Sequence, residues 1–377
     1  MFYYSYMLLV LIMAPFNMVY AICMTPILVL LRAARRVPQA TEVGGVNVDL
    51  SGKVVIVTGA NTGIGCRTAF HLARMGAKVV MACRSVERGE GARKRMETEL
   101  AVLGTRKAPS GVSGGTLEVM ECDLCNLRSV RAFAKAFKTK HGGQLDVLVN
   151  NAGMAINLGD ASTTDGLETV FGGNFIGHFL LTMELLPIIL ATPDARVVCL
   201  SSIFHHLGST KWETTAGGTS GRWTYPESKL AMVLFAKELR RRFADAGSSA
   251  TAFAVNPGVV RSDIYRAVPK LLMPGYDLFM RLVYLNVDEG CCTSVCTSAW
   301  PIERLSGSDY YQPYWMPFGL YRPWPCELLG PFVGCAPAQP TLPEDAPAAS
   351  SALWAACERI IEAAGAARGD ASGAARG

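Results

Sequence analysis

The chain is predicted to fold as an α/β domain with a doubly wound, mostly parallel sheet. Nearly continuous apolar runs rich in β-branched residues recur along the chain, amphipathic segments separate them, and a glycine-rich turn follows the first run. Such runs are typical of parallel strands that helices cover on both faces, and parallel strands need crossover helices to connect them. A single domain of this class is predicted over residues 51–310.

Six strands are predicted from the apolar runs. They lie at residues 53–57, 78–83, 117–122, 145–150, 195–200 and 251–255. Helical periodicity occurs at residues 65–75, 85–103, 127–140 and 225–243. Residues 108–115, which are rich in Pro, Gly and Ser, are predicted to form a surface loop before the third strand.

The start of the chain is predicted to be a membrane anchor. No charged residue occurs among residues 1–31, whereas three arginines follow by residue 36. A membrane-spanning helix needs about 20 apolar residues, and Pro15 with Asn17 would also allow a hairpin within one leaflet. A cleaved signal peptide or a buried core helix is the alternative. Because the basic and polar linker, residues 32–50, lies downstream, the domain is expected to face the cytosol, at an endoplasmic reticulum or lipid-droplet-like membrane.

The composition excludes several classes of protein. Half of the 377 residues are apolar, and the net charge of +5 comes from scattered basic residues, so a full core is expected and nucleic acid is not an expected partner. Twelve cysteines without regular spacing fit a reducing compartment. Cys122 and Cys125 form a C-x-x-C without a second pair, so no metal site is expected. Cys291, Cys292 and Cys296 are predicted to be small residues on a buried helix.

The last part of the chain has a different character. Residues 311–345 place aromatic side chains between prolines, a composition that argues against regular secondary structure. Either an irregular lid or membrane-interface surface, or a loop packed on the core, would account for it. Residues 346–364 carry the pattern of an amphipathic helix, and the Ala/Gly-rich tail at 365–377 is predicted to be disordered.

A nucleotide site is predicted at the turn TGANTGIG, which follows the first strand. Gly59, Gly63 and Gly65 allow the chain to turn tightly and to approach a pyrophosphate, which the N–H groups at the helix N-terminus would stabilise. Arg84 follows the second strand and suits the 2′-phosphate of NADP(H), whereas an acidic residue there would favour NAD(H). The sequence therefore favours NADP(H), and Glu87 nearby keeps NAD(H) as the alternative.

The stretch TYPESKLAMV places Tyr225 and Lys229 four positions apart at the start of a predicted helix. Residues at i and i+4 share a helix face, and a nearby ammonium lowers the pKa of a phenol. Such a tyrosine can act as a general acid–base. Because an isolated Y-x-x-x-K is more commonly a structural pair, the interpretation depends on the rest of the chain.

Six motifs occur in a fixed order along the chain. They are TGANTGIG, NNAG at 150–153, Asn174 in GGNFIGHFLLT, LSS ending at Ser202, YPESK, and NPGVV at 256–260. This order resembles that of the short-chain dehydrogenase/reductase family, over about residues 51–310. The stretches CRSVERGE, SKLAMVLF and VDEGCCTSV are similar to its membrane-associated branch of retinol dehydrogenase-like and polyprenol dehydrogenase-like members. The resemblance implies a Rossmann-type fold and an NAD(P)-dependent oxidoreductase.

The resemblance also implies a role for each matching residue. Tyr225 would exchange a proton with the substrate oxygen, and Lys229 would lower its pKa and hold the nicotinamide ribose. Ser202 would hydrogen-bond the substrate oxygen, and Asn174 would hold a water in the proton relay behind Lys229. The implied cofactor-binding residues are Gly59, Asn61, Thr62, Gly63, Ile64, Gly65, Arg84, Asp123, Leu124, Asn150, Ala152, Gly153, Tyr225, Lys229, Pro257, Gly258, Val260 and Ser262.

The sequence thus predicts an anchored oxidoreductase that moves a hydride between NADP(H) and a hydrophobic alcohol, aldehyde or ketone. Retinoids, polyprenols and sterol-like molecules all qualify, because an anchor gives access to lipid-dissolved substrates. His205 and His206 either border the substrate or lie on a surface loop. A non-catalytic nucleotide-binding scaffold or redox sensor is the alternative function, and a homodimer is compatible with the sequence.

Overall fold

The computed structural model describes residues 48–107, 114–155, 162–217, 224–261, 284–305, 307–313 and 335–374. The predicted anchor, nearly all of the linker and most of the proline- and aromatic-rich segment lie outside these ranges. Most of the predicted surface loop at 108–115 lies outside them as well.

The described strands form one eight-stranded sheet in the order β3-β2-β1-β4-β5-β6-β7-β8. The strands are β1 Val54–Thr58, β2 Lys78–Cys83, β3 Thr116–Glu121, β4 Val147–Asn150, β5 Arg196–Leu200, β6 Thr251–Val255, β7 Tyr310–Gln312 and β8 Ala336–Pro337. All neighbouring pairs are parallel except β7 with β8. The predicted α/β class with a mostly parallel sheet is confirmed.

Helices connect the parallel strands and cover both faces of the sheet. They are α1 Gly63–Arg74, α2 Val86–Lys107, α3 Leu127–His141, α4 Thr169–Ala191, α5 Trp212–Ala216, α6 Tyr225–Asp245, α7 Val287–Gly290, α8 Cys292–Ala299 and α9 Ala346–Ala374. One core lies between the sheet and α3, α4, α6 and α9, and the other between the sheet and α1, α2 and α8. Burial on both faces explains why the strands are continuous apolar runs.

Helix α3 shows how the sequence sets the boundaries of these helices. Asn126 is the N-cap, and its side chain accepts hydrogen bonds from the backbone N–H groups of Arg128 and Ser129. Gly142 ends the helix in the left-handed conformation with a φ of 62°. The buried positions of the helix recur with helical spacing and pack on the sheet; they are Leu127, Val130, Phe133, Ala134 and Phe137.

The end of the chain differs from its prediction in two ways. Residues 310–312 and 336–337 pair as β7 and β8, although the prolines around them argue against regular structure. These strands are three and two residues long, so the pairing of β7 with β6 and of β8 with β7, rather than their own sequence, specifies them. Helix α9 continues to Ala374 and enters the segment that was predicted to be disordered, because its many alanines favour the helix.

Within the described residues, α4 is the one helix that is long and apolar enough to cross a membrane. However, 67% of its most apolar stretch is buried inside the protein. Phe179 of this helix packs against Phe235 of α6 and Trp354 of α9, with ring centroids 5.3 and 5.1 Å away. Helix α4 is therefore a core helix of the domain.

Candidate active site

The predicted site residues in the described ranges lie along one edge of the sheet. The six parallel strands β1 to β6 end at this edge, and the motifs follow directly after them. The strand order reverses between β1 and β4, and ligands of doubly wound sheets bind at such a switch point. The fold thus brings together motifs that are up to about 200 residues apart in the sequence.

The glycine turn after β1 has the geometry of a close approach between two backbone segments. Gly59 and Gly63 have φ values of 65° and 58°, which disfavour any side chain. A Cβ on Gly59 would lie 2.9 Å from the Cβ of Ala152, and one on Gly65 would lie 2.2 Å from Nδ2 of Asn151. Helix α1 begins at Gly63, so the N-terminus of the helix lies at this turn.

Two asparagines after β4 complete the wall beside this turn. The Nδ2 group of Asn150 donates to Oγ1 of Thr182 over 3.0 Å, and that of Asn151 donates to the carbonyl of Thr58 over 2.8 Å. The Oδ1 atoms of both asparagines are buried and have no hydrogen-bond partner within the described residues. The site thus offers backbone that no side chain covers, the N-terminus of a helix and unpaired amide oxygens. These are groups that a bound dinucleotide would contact.

The residues predicted on the adenosine side also lie at this edge. Arg84 is exposed directly after β2, and Asp123 and Leu124 are half-buried after β3. Oδ1 of Asp123 accepts from the N–H of Cys125 over 3.0 Å, which fixes the loop. Helix α4 packs closely against it, because a Cβ on Gly177 would lie 2.3 Å from the carbonyl oxygen of Leu124.

Tyr225 and Ser202 form the centre of the candidate site. Tyr225 is the first residue of α6 and is 6% exposed. Its phenol is hydrogen-bonded to the hydroxyl of Ser202, which caps the short helix Ile203–Leu207. The neighbouring Ser201 is buried, and its hydroxyl donates to the backbone carbonyl of Lys229 over 2.8 Å. The structure therefore distinguishes the serine that meets the tyrosine from the serine that holds the helix.

Lys229 lies beneath the phenol of Tyr225. Its Nζ atom is 5.5 Å from the centroid of the Tyr225 ring and donates to the carbonyl of Leu200 over 2.9 Å. A Cβ on Gly153 would lie 3.3 Å from this Nζ and 3.6 Å from Oδ1 of Asn174. The missing side chain at Gly153 thus lets the backbone of this loop approach both polar groups closely.

Burial, rather than the lysine, sets the pKa of the tyrosine in this structure. Burial raises the pKa of Tyr225 to about 12, and the hydrogen bond with Ser202 opposes this rise. Burial also lowers the pKa of Lys229 to about 8. The expected lowering of the tyrosine pKa by the ammonium is therefore not found, because the spacing of two residues on a helix does not reveal how deeply both are buried. At neutral pH the tyrosine is a phenol, which can donate a proton.

Asn174 lies within a π-helical turn, Gly172–Ile176, inside α4. Its side chain accepts from the N–H of Met154 and donates to the carbonyl of the same residue, both over 2.8 Å. Its Nδ2 group also donates to the hydroxyl of Ser228 over 3.2 Å. Asn174 therefore ties the loop after β4 to the helix that carries Tyr225.

The last motif follows β6. Pro257 is buried, and Gly258 has a φ of 77° and donates its N–H to Oδ1 of Asn256 over 3.0 Å. Val260 pairs with Leu285 in an isolated parallel bridge. These residues lie at the same edge as the other motifs, whereas Ser262 lies outside the described residues.

The two histidines after Ser202 are not a pair of surface residues. His205 is 1% exposed, and its Nδ1 atom lies 2.7 Å from the carbonyl oxygen of Ser202. Burial lowers its pKa to about 4. The ring of His206 packs against it in a tilted arrangement, with 4.0 Å between the centroids. His205 therefore shapes the turn after Ser202 as a neutral residue.

The predicted cysteine cluster lies away from the site. The residues Cys291, Cys292 and Cys296 are buried around α8, as predicted. Within the described part of the chain, no group of His, Cys, Asp and Glu could hold a metal ion.

The fold, the glycine turn and the Ser202, Tyr225 and Lys229 cluster define a class of protein. The sequence profile described as short chain dehydrogenase matches residues 53–270, more than half of the chain. The chain belongs to the short-chain dehydrogenase family, whose members are NAD(P)-dependent oxidoreductases.

Its similar proteins place it in the retinol dehydrogenase-like branch of that family. Retinol dehydrogenase 12 of Homo sapiens is 40% identical over 303 residues, which cover 76% of this chain and 90% of that protein. Retinol dehydrogenase 14 of Homo sapiens is 38% identical over 264 residues, which cover 68% and 77%.

Solved structures agree with the fold. An uncharacterized protein from Mycobacterium paratuberculosis has a TM-score of 0.61 and 30% identity, over 86% of this chain and 97% of that chain. L-sorbose reductase from Gluconobacter frateurii has a TM-score of 0.52 and 18% identity, over 68% and 92%. The second similarity shows the fold alone.

Several residues that organise the site were missed by the sequence analysis. Thr58, His178 and Ser228 each contact a predicted site residue or its neighbour through buried hydrogen bonds. A signal for one of them was present, because His178 is a lone polar ring in an apolar stretch, four residues after Asn174. Thr58 and Ser228 carry no pattern that separates them from other hydroxyl residues.

Proposed function

We propose that the protein is an NADP(H)-dependent oxidoreductase that exchanges a hydride between the cofactor and a hydrophobic alcohol, aldehyde or ketone. One observation carries the proposal: the phenol of Tyr225 meets the hydroxyl of Ser202 while the ammonium of Lys229 lies beneath it, next to Gly153. A proton donor, a second hydroxyl and a cation are thus gathered where the glycine turn would place a nicotinamide.

The residues of this cluster have separate tasks in the proposed mechanism. Ser202 donates a hydrogen bond to the substrate oxygen and orients it toward Tyr225. In reduction, the phenol of Tyr225 gives its proton to that oxygen; in oxidation, the tyrosinate form of Tyr225 removes the proton of the alcohol. Lys229 holds the ribose and stabilises the tyrosinate that forms. The bound nicotinamide supplies or accepts the hydride.

A hydrophobic substrate is supported by the surroundings of Tyr225. The ring of Phe204 meets the Tyr225 ring edge-on, with 6.1 Å between the centroids. Leu207, three residues further along, is 53% exposed. The relatives reported above are named retinol dehydrogenases. A retinoid is therefore our first candidate, and polyprenols and sterol-like molecules are the others.

The function is tested with the nicotinamide absorbance of purified protein in detergent. The cofactors are NADPH and NADH, and the substrates are all-trans-retinal, a polyprenal, a sterol ketone and a short water-soluble aldehyde. We expect NADPH to be consumed with at least one long apolar substrate and more slowly with the short aldehyde. Measurable cofactor binding without turnover of any substrate would contradict the proposal and favour a non-catalytic scaffold.

Selection of NADP(H) is assigned to Arg84. Arg84 is exposed directly after β2, and its guanidinium would pair with a 2′-phosphate bound there. Because a hydrogen bond to a charged group contributes about 1.5–3 kcal/mol, Arg84→Ala should raise the KM for NADPH roughly tenfold or more and leave the KM for NADH unchanged.

A matched control for this prediction is Lys94→Ala, which removes an exposed cation further along α2. Steady-state kinetics with both cofactors should show no change for the control. Equal effects of Arg84→Ala on NADPH and NADH would contradict the assignment.

We further propose that residues 1–31 anchor the protein in a membrane with the domain facing the cytosol. The proposal is supported by the charge-free stretch and the arginines that follow it. Protease added to sealed microsomes should digest the domain. Protection of the domain until detergent is added would contradict the orientation.

A further inference from the structure

The structure contains a buried histidine that the proposed mechanism does not use. His178 lies in α4, immediately after the π-helical turn, and is 0% exposed. It is four residues beyond Asn174, and its ring lies between the turn after β1 and the turn that holds Asn174. A fully buried imidazole in an apolar helix requires partners for both ring nitrogens.

Both nitrogens of the ring have a partner. Nδ1 lies 2.7 Å from the backbone carbonyl oxygen of Asn174, and Nε2 lies 2.8 Å from Oγ1 of Thr58. Thr58 is the last residue of β1, directly before the glycine turn. One imidazole therefore joins the cofactor turn to the π-helical turn.

The partners determine the tautomer. A carbonyl oxygen only accepts, so Nδ1 of His178 must carry the hydrogen. Oγ1 of Thr58 already accepts from the N–H groups of Asn151 and Ala152, over 2.9 and 3.0 Å. Its own hydrogen is therefore free to donate, and Nε2 of His178 is closer than the other acceptor, the carbonyl of Val149 at 3.3 Å. The ring is neutral, with a hydrogen on Nδ1.

The surroundings keep this state over the physiological range. Burial, together with the cation of Lys229, lowers the pKa of His178 to about 3, although the bond to the carbonyl of Asn174 opposes the shift. Protonation of Nε2 would also take away the acceptor of the Thr58 hydroxyl. The new N–H would then point at an oxygen that already accepts two hydrogen bonds. His178 is thus a fixed donor and acceptor rather than a proton carrier.

Each end of the ring supports a different part of the site. The Thr58 end supports the N–H groups of Asn151 and Ala152, which form the wall beside the glycine turn. The Asn174 end holds the residue whose side chain bonds to both backbone groups of Met154.

We propose that His178 is a positioning residue with two separable effects: its bond to Thr58 orders the cofactor turn, and its bond to Asn174 orders the π-helical turn that is bonded through Ser228 to the helix of Tyr225 and Lys229. This inference rests on the proposed function.

Two substitutions separate the two bonds. In His178→Asn, the amide nitrogen is as many bonds from Cα as Nδ1, so the bond to Asn174 is kept and the partner of Thr58 is lost. In His178→Gln, the amide oxygen is as many bonds from Cα as Nε2, so the hydroxyl of Thr58 keeps its acceptor and the bond to Asn174 is lost. Thr192→Val is the matched control, because it removes a buried hydroxyl bonded to the Ile188 carbonyl at the far end of α4.

The readouts are the Kd of NADPH by fluorescence, kcat, the solvent deuterium isotope effect on kcat, and the thermal midpoint. We expect His178→Asn to raise the Kd roughly tenfold with kcat nearly unchanged, as for one lost buried hydrogen bond. We expect His178→Gln to lower kcat roughly tenfold, to increase the isotope effect, and to leave the Kd nearly unchanged. All three variants should lose similar thermal stability, and Thr192→Val should change neither Kd nor kcat.

A variant-independent test uses wild-type protein with 15N-labelled histidine, with His178→Asn serving to assign the signal. The ¹⁵N shifts should show a neutral ring with its hydrogen on Nδ1 between pH 5 and 8. Titration in that range, or a hydrogen on Nε2, would overturn the inference. The inference would also be overturned if both variants showed weaker NADPH binding together with a lower kcat, because a merely structural residue gives that pattern. Absence of turnover in the wild type would instead contradict the proposed function.

Discussion

Tyr225→Phe should remove nearly all turnover while leaving cofactor binding intact. Phenylalanine keeps the ring that packs edge-on against Phe204 but removes the hydroxyl that meets Ser202. General acid–base catalysis contributes about 10²–10⁴-fold to a rate, and we expect kcat to fall by roughly 10³-fold. The Kd of NADPH should change by less than about twofold, because burial and helix position of the residue are unchanged.

The measurement is kcat and the Kd of NADPH for wild type and variant under identical conditions. Tyr311→Phe is the matched control, because it removes a buried hydroxyl that donates to the carbonyl of Leu305, away from the site. The control should keep kcat and lose thermal stability. Substantial turnover in Tyr225→Phe would mean that another group supplies the proton.

The second large effect is expected for Lys229→Met, which should lose activity and gain stability at neutral pH. Lys229 is 3% exposed, and burial lowers its pKa from an ordinary value of 10.5 to about 8. Below pH 8 the lysine is charged in both folded and unfolded states, so the folded state carries the full cost of burying the charge. Methionine removes this cost but also the bond to the Leu200 carbonyl, and we expect a net gain on the order of 2 kcal/mol at pH 7.

The pH dependence gives the sign of this prediction. Between pH 8 and 10.5 the unfolded state binds more protons than the folded state, so the wild type becomes more stable relative to the variant as the pH rises. The advantage of Lys229→Met should therefore be largest at pH 7 and shrink toward pH 10. Chemical denaturation at several pH values measures it.

A control on the same helix should behave in the opposite way. Lys237→Met breaks an ion pair with Asp309 between two half-buried side chains, and we expect a small loss of stability with unchanged activity. Equal losses of stability in Lys229→Met and Lys237→Met would show that burial of the Lys229 charge does not lower the stability of the folded protein.

The fold class, and the strands after which the site motifs follow, could be predicted from the sequence. Continuous apolar runs reflect burial on both faces of the sheet, and glycines at fixed positions reflect the close approach of Gly59 to Ala152 and of Gly65 to Asn151. Because parallel strands end at one edge, motifs that follow different strands had to meet there. The grouping of Tyr225, Ser202 and Lys229 came from the resemblance to the short-chain dehydrogenase/reductase family, and the common edge of the sheet explains why these residues can meet.

Features that depend on three-dimensional packing could not be predicted in this way. The sequence around Asn174 carries no pattern that distinguishes its π-helical turn from the rest of an apolar helix. Strand β7 exists because the edge of β6 is available to pair with Tyr310 and Tyr311. The pKa of Tyr225 depends on its depth in the protein, which the spacing to Lys229 does not contain.

The central claim is that this site transfers a hydride between NADP(H) and an apolar carbonyl compound. The most direct measurement is incubation of the wild-type protein with NADPH carrying deuterium at both C4 positions of the nicotinamide and with all-trans-retinal, followed by mass spectrometry of the extracted retinol. We expect one deuterium in the retinol that the wild type forms, and we expect no such product from Tyr225→Phe. Retinol without deuterium, or labelled retinol formed equally by the variant, would contradict it.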